Sequence, residues 1–395
     1  MQEKAAALAL QGSDRTRVAT MVALMVLVHV AFTGGRVAFS LYAIQLQASP
    51  FQVGLIVSLL SLVPMLLSVH FGRWTDRVGV AKPALISTVF TALGVGLPAL
   101  APSLLLLYAG SMVFGTAFML LHIAVNNAVG HASTPQTRTQ AFTWLAIGFS
   151  LSSTGGPVVA GYAIDHFNHS AAFLILALFP LLPLAVMLLK PVPPGISHQL
   201  VEPPPGAHVM DLLRDRPMRS VFIASGLMSI SWDMFTFMVP IQGTRIGLTA
   251  SQIGLVMGSF GVATFLVRMS MPWLAKRLTE WQVLSFALGI SAAAYLLFPL
   301  LNAFLLLMVL SFGLGLGLGS AQPMVLSLIH RMAPPGRTGE AIGVRTSFLN
   351  MSQVFMPLLF GGFGAAVGLV PVFWVLAVLM GWGSWFTQNK SKRRV

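Results

Sequence analysis

The chain has 395 residues, of which 56% are hydrophobic and only 8% are charged. This composition excludes an ordinary soluble domain, because a soluble core of this length could not enclose so many apolar side chains. Cysteine is absent, which excludes disulfides, thiolate metal sites and cysteine nucleophiles. The formal net charge of +13 would suit nucleic acid, but the basic residues flank apolar segments, so no nucleic-acid partner is expected.

Apolar segments of about 20 residues recur along the chain, and each is long enough to cross a hydrocarbon core of roughly 30 Å as a helix. Glycine, proline, charged residues and short polar runs separate them. The twelve predicted spans cover residues 18–42, 52–71, 83–101, 103–125, 140–163, 171–190, 219–241, 252–271, 283–300, 303–326, 341–364 and 371–388. The chain is therefore predicted to be an all-α integral membrane protein in a lipid bilayer.

The segment 191–217 is predicted to be a linker. It is rich in proline, which favours an extended chain, and it ends in the polar run 211–216. It divides the chain into an N-terminal six-helix bundle, residues 1–190, and a C-terminal six-helix bundle, residues 218–395.

The second half of the chain repeats the first at a fixed offset of 200 residues, since 52–56 returns as 252–256. Further matching pairs are Arg77 and Arg277, Pro135 and Pro335, Ala141 and Ala341, Pro157 and Pro357, and Gly161 and Gly361. Parallel repeats in a polytopic membrane protein place a binding site at the repeat interface, where one half can rock against the other. The repeat therefore indicates a transporter.

The basic residues are predicted to lie on one side of the membrane. They precede span 1, flank the linker and follow spans 2, 4, 8, 10 and 12, whereas Arg245 falls on the other side. The positive-inside bias places both termini and the linker in the cytoplasm. Span 1 contains Arg36 and is too long for a signal peptide, so we expect a multi-pass protein of the bacterial inner membrane.

The loop after span 2 carries a family motif. It resembles the signature G-x-x-x-D-R-x-G-R-R/K-R/K of the major facilitator superfamily. The loop matches at Gly72, Asp76, Arg77, Gly79 and Lys82, and departs at Val80 and Ala81. The resemblance implies two pseudo-symmetric six-helix bundles.

The same resemblance implies a latch in which Asp76 pairs with the cytoplasmic end of span 11 while the outward-open state exists. Arg345, about one turn inside that span, is the candidate partner. The alternative is that Asp76 and Arg77 only mark a tight, solvated loop.

Span 5 contains Gly148, Gly156, Pro157 and Gly161. This pattern resembles the Gly-Pro motif of twelve-span proton-coupled exporters in the superfamily. Glycine lets helices approach closely and proline bends a helix, so these residues are predicted to form a hinge or packing face between the halves. The alternative is ordinary membrane-helix composition, in which glycine and proline are frequent.

Charged side chains within the spans are the first candidates for transport and coupling, because they are costly at bilayer depth. Asp233 in span 7 and Arg36 in span 1 are predicted at similar depth, and Asp233 maps by the repeat onto Thr33. We expect Asp233 and Arg36 to form a contact between the halves that responds to substrate or protons, or else a permanent structural ion pair. His29 shares the face of Arg36 and can titrate near neutral pH, or it only hydrogen-bonds a neighbouring helix.

Further polar or aromatic side chains within the spans are predicted to line a cavity, or else to bond or pack between helices. They are His122, Asn126, Trp232, Gln322, Asn350 and Gln353. Arg268, near the cytoplasmic end of span 8, is expected to snorkel towards the membrane surface.

The sequence thus predicts a monomeric secondary active transporter that moves a small organic molecule by alternating access, with proton-coupled efflux as the preferred mode. One alternative is uptake of a small anionic metabolite, attracted by Arg36, His29 and His122. Another is a membrane sensor or scaffold that does not transport. No span presents a nucleophile, a base and a metal cluster in recognisable order, so no enzyme, cofactor or metal site is expected.

Overall fold

In the computed structural model, the described residues are 2–131, 138–189, 209–274, 276–334 and 337–392, and within them the chain is helical apart from short connections. The N-terminal half contains α1 Gln2–Gln45, α2 Pro50–Val78, α3 Ala81–Gly96, α4 Leu104–His131, α5 Arg138–His166 and α6 His169–Leu189. The C-terminal half contains the short α7 Val209–Arg214, then α8 Arg216–Arg245, α9 Ala250–Leu274, α10 Glu280–Leu297, α11 Phe304–Met332, α12 Thr338–Val367 and α13 Leu369–Lys392.

Eleven of these helices contain a segment long and apolar enough to cross a membrane. The remaining long helix, α5, has 29 residues and packs between α1 and α9. The predicted all-α membrane fold is therefore confirmed. Most of the predicted linker 191–217 lies outside the described residues, but its last part forms α7, and Asp215 caps α8 by accepting a hydrogen bond from the Met218 amide at 3.0 Å.

The surface between the helix ends is apolar. Leucine and valine side chains on it are more than 60% exposed at positions Leu105, Leu188, Val309, Leu359 and Val378. Exposed apolar surface on this scale marks contact with lipid rather than water. The helix ends divide into two faces. The basic face carries the loops after α2, α9 and α11, and the far face carries the turns after α1 and α8.

The 200-residue repeat extends to the local structure of the far face. Ser49 caps α2 and Thr249 caps α9, each in a reciprocal pair with a glutamine three residues later. The residues two positions earlier, Gln47 and Gly247, have φ values of 60° and 80°. Such a conformation favours glycine, which is present at position 247. The N-terminal half keeps the same turn conformation although Gln47 stands at the equivalent position.

Glycines allow the two halves to pack closely at two helix pairs. A Cβ at Gly54 on α2 would meet the backbone oxygen of Pro357 on α12, and a Cβ at Gly254 on α9 would meet that of Pro157 on α5. These contacts are equivalent under the repeat, so α2/α12 and α5/α9 are matching interfaces. Backbone atoms cannot move aside as side chains do, so the sites require glycine.

The motif in span 5 lies at such contacts. Gly148 and Gly156 face α1 within the N-terminal half, whereas Pro157 and Gly161 face the start of α9 in the other half. The packing positions are thus defined, and a hinge role stays a prediction.

Candidate functional site

Arg36 and Thr236 connect the halves inside the membrane region. Arg36 on α1 donates from Nη2 to Thr236 Oγ1 on α8 at 3.0 Å, and Thr236 donates to the backbone oxygen of Asp233 at 2.9 Å. The two residues are 200 positions apart, so they are equivalent in the repeat and meet where the halves face each other. Each lies nine residues before its helix end, at Gln45 and Arg245, or about 13 Å along the axis.

Thr236 lies between the two residues of the predicted Arg36–Asp233 contact, because it accepts from Arg36 and donates to the backbone oxygen of Asp233. Arg36 lies within electrostatic range of Asp233, but among the described residues its side-chain hydrogen bond goes to Thr236. Whether the contact responds to substrate or protons stays a prediction.

Asp233 is 3% exposed and is held by its own half, because Ser352 on α12 donates to its Oδ2 at 2.9 Å. The N-terminal half repeats this arrangement without a carboxylate. There Thr33 donates to the backbone oxygen of Ser152 on α5 at 2.8 Å, and both residues are 200 positions before their counterparts. Both halves therefore have a hydrogen bond between these two helix positions, but only the pair in the C-terminal half includes an acid, Asp233.

His29 and His122 lie together among phenylalanines of the N-terminal half. The ring centroid of His29 is 4.5 Å from Phe149 and 5.6 Å from Phe118, and that of His122 is 5.6 Å from Phe149. The amide nitrogen of Asn126 donates to the backbone oxygen of His122 at 2.6 Å. Within the described residues, Nδ1 of His29 is buried and has no hydrogen-bond partner.

Arg268 does not snorkel to the membrane surface, in contrast to the expectation from sequence. It reaches across to the other half, where Nη1 donates to the backbone oxygen of Ala146 at 3.0 Å and to Ser150 Oγ at 2.7 Å. Its Nη2 donates to Gln322 Oε1 on α11 at 3.3 Å. These hydrogen bonds to α5 and α11 partly offset the cost of placing the guanidinium inside the membrane region.

The other predicted cavity residues are less central. Trp232 packs edge-on against Phe260 at 4.7 Å within the C-terminal half, and Asn350 is half-buried on α12. Gln353 accepts a hydrogen bond from Ser61 on α2 at 3.1 Å, so it contributes to the interface between the halves.

The predicted latch on the basic face is only partly described. Gly79 ends α2 with φ of 77°, a conformation that favours glycine, and a Cβ at Gly72 would meet open space. Arg345 is buried and donates to Ser225 on α8 at 3.0 Å. The side chain of Asp76 lies outside the described residues, so the pairing with Arg345 stays a prediction, and Arg77 is exposed.

Asp165 forms a contact that the sequence analysis did not predict. It stands at the far-face end of α5, beyond the predicted span, and its carboxylate accepts from the amides of Ala250 and Ser251 at 3.0 and 2.7 Å. Partial burial raises the pKa of the Asp165 carboxyl, but the hydrogen bonds from Ser251, Thr249 and Ala250 outweigh it and leave the pKa below its ordinary value. The acid therefore joins α5 to the start of α9 across the two halves.

Two repeated bundles of apolar helices, with charged side chains buried at their interface, define a polytopic membrane transporter. A family model described as the Major Facilitator Superfamily matches residues 21–277 and 221–394. The chain belongs to the Major Facilitator Superfamily, as the motif after span 2 predicted.

Relatives of known description agree with this assignment. A Deinococcus radiodurans protein described as a proposed sugar efflux transporter is 26% identical over 89% of this chain and 92% of its own length. A class D tetracycline resistance protein from Salmonella ordonez is 24% identical over 78% of each chain. Among solved structures, a POT family transporter in complex with a thioalcohol-conjugated peptide superposes with a TM-score of 0.80 at 13% identity, covering 95% of this chain and 96% of that one. At that identity the structural likeness shows the fold alone.

Proposed function

We propose that this transporter works by alternating access and exports a small organic molecule in exchange for protons. The observation that carries the proposal is the position of Asp233. It is a buried acid at the interface, held by Ser352 in its own half and within electrostatic range of Arg36 from the other half. Intramembrane acids in such positions mark proton or substrate pathways.

The geometry supplies a physical link between protonation and movement. While Asp233 is ionised, the positive charge of Arg36 attracts it and favours the joined arrangement of α1 and α8. Protonation removes that attraction, while the hydrogen bond from Arg36 to Thr236 still joins α1 to α8. Binding of a proton therefore changes the free-energy difference between joined and separated halves, as coupling requires.

Export is favoured over uptake by the names of the relatives, which include sugar efflux and tetracycline resistance. The basic face carries most exposed cations, so we assign it and both termini to the cytoplasm of a bacterial inner membrane. A monomer suffices for this mechanism, because both halves of the interface belong to one chain.

A second candidate function is proton-linked uptake of a small anionic metabolite. It is favoured by the two guanidinium groups, Arg36 and Arg268, that lie at the interface between the halves. Direction of transport decides between the two functions.

The test uses purified protein reconstituted into liposomes of determined orientation, with labelled tetracycline and a labelled disaccharide as trial substrates. We expect an imposed proton gradient to drive accumulation of one of them, and a protonophore to abolish it. Asp233→Asn should abolish accumulation but leave downhill exchange.

The matched control is Asp215→Asn, because it makes the same change on the same helix and asparagine caps helices equally well. Accumulation by Asp233→Asn equal to that of the control would refute the coupling role. Substrate flux that is the same with proton gradients of either sign would refute proton coupling altogether.

A further inference from the structure

A second polar cluster at the interface is not used by the proton step. It comprises His29, His122 and Asn126 from the N-terminal half, and Arg268 and Gln322 from the C-terminal half. We call it the inter-half cluster. Arg268 closes it by hydrogen-bonding Ser150 Oγ at 2.7 Å, and it lies within electrostatic range of His29.

The imidazoles of this cluster have unused hydrogen-bonding capacity. Nδ1 of His29 is buried and has no partner among the described residues. The amide nitrogen of Asn126 is 3.3 Å from both ring nitrogens of His122. An atom equidistant from both must lie over the ring face, because within the ring plane it would collide with a ring carbon. The in-plane donor and acceptor positions of His122 therefore do not point at Asn126.

The charge of the cluster is unbalanced. The chain has 10 acidic residues, and the one deep within a described span, Asp233, is bonded to Ser352. Arg268 by contrast bonds, among the described residues, to neutral oxygens only, those of Ala146, Ser150 and Gln322. A guanidinium at bilayer depth is stabilised more by an anion than by neutral acceptors.

The apolar neighbours of the cluster are aromatic. Phe149 lies 4.5 Å from the ring of His29, and Phe32 stacks on Phe118 at 3.8 Å. Phe32 and Phe149 are only partly buried, and their ring centroids lie 6.2 and 4.5 Å from that of His29. Flat aromatic ligands pack against such rings in offset or edge-on geometry.

We propose that the inter-half cluster binds the anionic group of an aromatic organic acid, with His29 and Arg268 contacting the anion and Phe32 and Phe149 packing against the ring. The inference rests on the proposed transport function and specifies its substrate class. A ligand held between Arg268 and the imidazoles touches both halves, so its arrival and departure change the contacts that join them.

The test measures binding to the purified full chain in detergent by titration calorimetry. The probes are 1-naphthoate, its neutral amide 1-naphthamide, and acetate, which has the charge without the ring. We expect naphthoate to bind at least tenfold more tightly than either of the other two. Equal affinity for naphthoate and naphthamide, or no binding of naphthoate, would overturn the proposal.

Variants identify the residues. His29→Asn and Arg268→Gln should each weaken naphthoate binding at least tenfold, while Arg268→Lys should restore part of it. Arg245→Gln is the matched control, because it removes the same charge from an exposed site on the far face. His29→Asn breaks no described hydrogen bond between the halves, so it remains informative if Arg268→Gln does not fold. A loss in Arg245→Gln equal to that in both cluster variants would show that binding follows net charge, and would overturn the site.

The experiment separates this inference from the proposed function. If Asp233→Asn binds naphthoate normally but the wild type shows no response to proton gradients, the coupling fails and the anion site stands. If gradient-driven transport is observed but the acid and its amide bind alike, the anion site fails and the coupling stands.

Discussion

Replacement of Asp165 should open the far face. Its carboxylate accepts two amide hydrogen bonds from Ala250 and Ser251, and thereby caps α9 from the opposite half. Caps of this kind contribute about 0.5 to 2 kcal/mol, and a charge at a helix N-terminus adds roughly 0.3 to 1 kcal/mol. Because the site is exposed to solvent, we take about 1.4 kcal/mol for the sum, which corresponds to about a tenfold change in the population of the separated state.

The absence of cysteine makes the assay direct. Val158 on α5 faces Gly258 on α9 across the interface, so Val158→Cys should react with a membrane-impermeant maleimide only when the halves separate at the far face. Adding Asp165→Ala should raise the reaction rate about tenfold, and Asp165→Asn should raise it less because one neutral acceptor remains. His166→Ala is the control, since the hydrogen bond of His166 in the described part of the chain stays within its own helix, to the backbone oxygen of Tyr162 at 3.0 Å.

The same contact should respond to pH in a defined direction. Its hydrogen bonds hold the pKa of Asp165 below the ordinary value, so the contact between Asp165 and α9 is fully formed above that ordinary value and is lost as pH falls through the lowered pKa. Labelling of Val158→Cys should therefore rise on acidification, whereas the Asp165→Asn background should not respond. The reactivity of a cysteine thiol itself changes with pH. The labelling rate of Val158→Cys is therefore divided by that of Phe167→Cys, an exposed site, at each pH. Equal normalised rates in the Asp165 variants and the parent would show that the contact contributes nothing.

Other substitutions test the rest of the interface. Gly254→Ala should lower stability by about 1 to 3 kcal/mol through a clash with a backbone carbonyl on α5, measured by thermal unfolding, whereas Gly226→Ala, which points into open space, should not. Thr236→Val removes the acceptor of Arg36 while keeping the side-chain shape, and should destabilise the joined state by about 1.5 to 3 kcal/mol. A cysteine on α1 should then be labelled faster. Unchanged labelling would show that the hydrogen bond from Arg36 to Thr236 does not join the halves. Asp76→Asn should shift cysteine accessibility towards opening of the basic face, and no shift would remove the latch.

The helical membrane architecture could be predicted from the sequence, because it depends on the length, composition and order of the apolar segments. Span length, apolar composition and the position of basic residues predict twelve membrane helices and their order. The offset of 200 residues also predicts which interfaces match, and Gly54 and Gly254 meet equivalent backbone oxygens as that offset requires.

Partners across the interface were less accessible, because sequence gives depth along a helix but not the rotation of that helix. Arg268 was therefore assigned to the correct helix but not to its partners on α5, and the contact of Asp165 with the start of α9 was not predicted. One signal was available. Residues related by the repeat meet where their helices face the axis between the halves, and the offset of 200 residues pairs Arg36 with Thr236.

The replacement of a carboxylate at one half by Thr33 at the other has a consequence for stoichiometry. With Asp233 as the single buried acid of the pair, the proposed cycle exchanges at most one proton through this site. Export of a neutral substrate then moves one charge across the membrane per cycle, while export of a monoanion moves two. Each charge is worth about 2.3 kcal/mol per 100 mV. A transporter of organic acids built in this way would draw on the membrane voltage twice in every turnover, and its current would report the charge of its substrate.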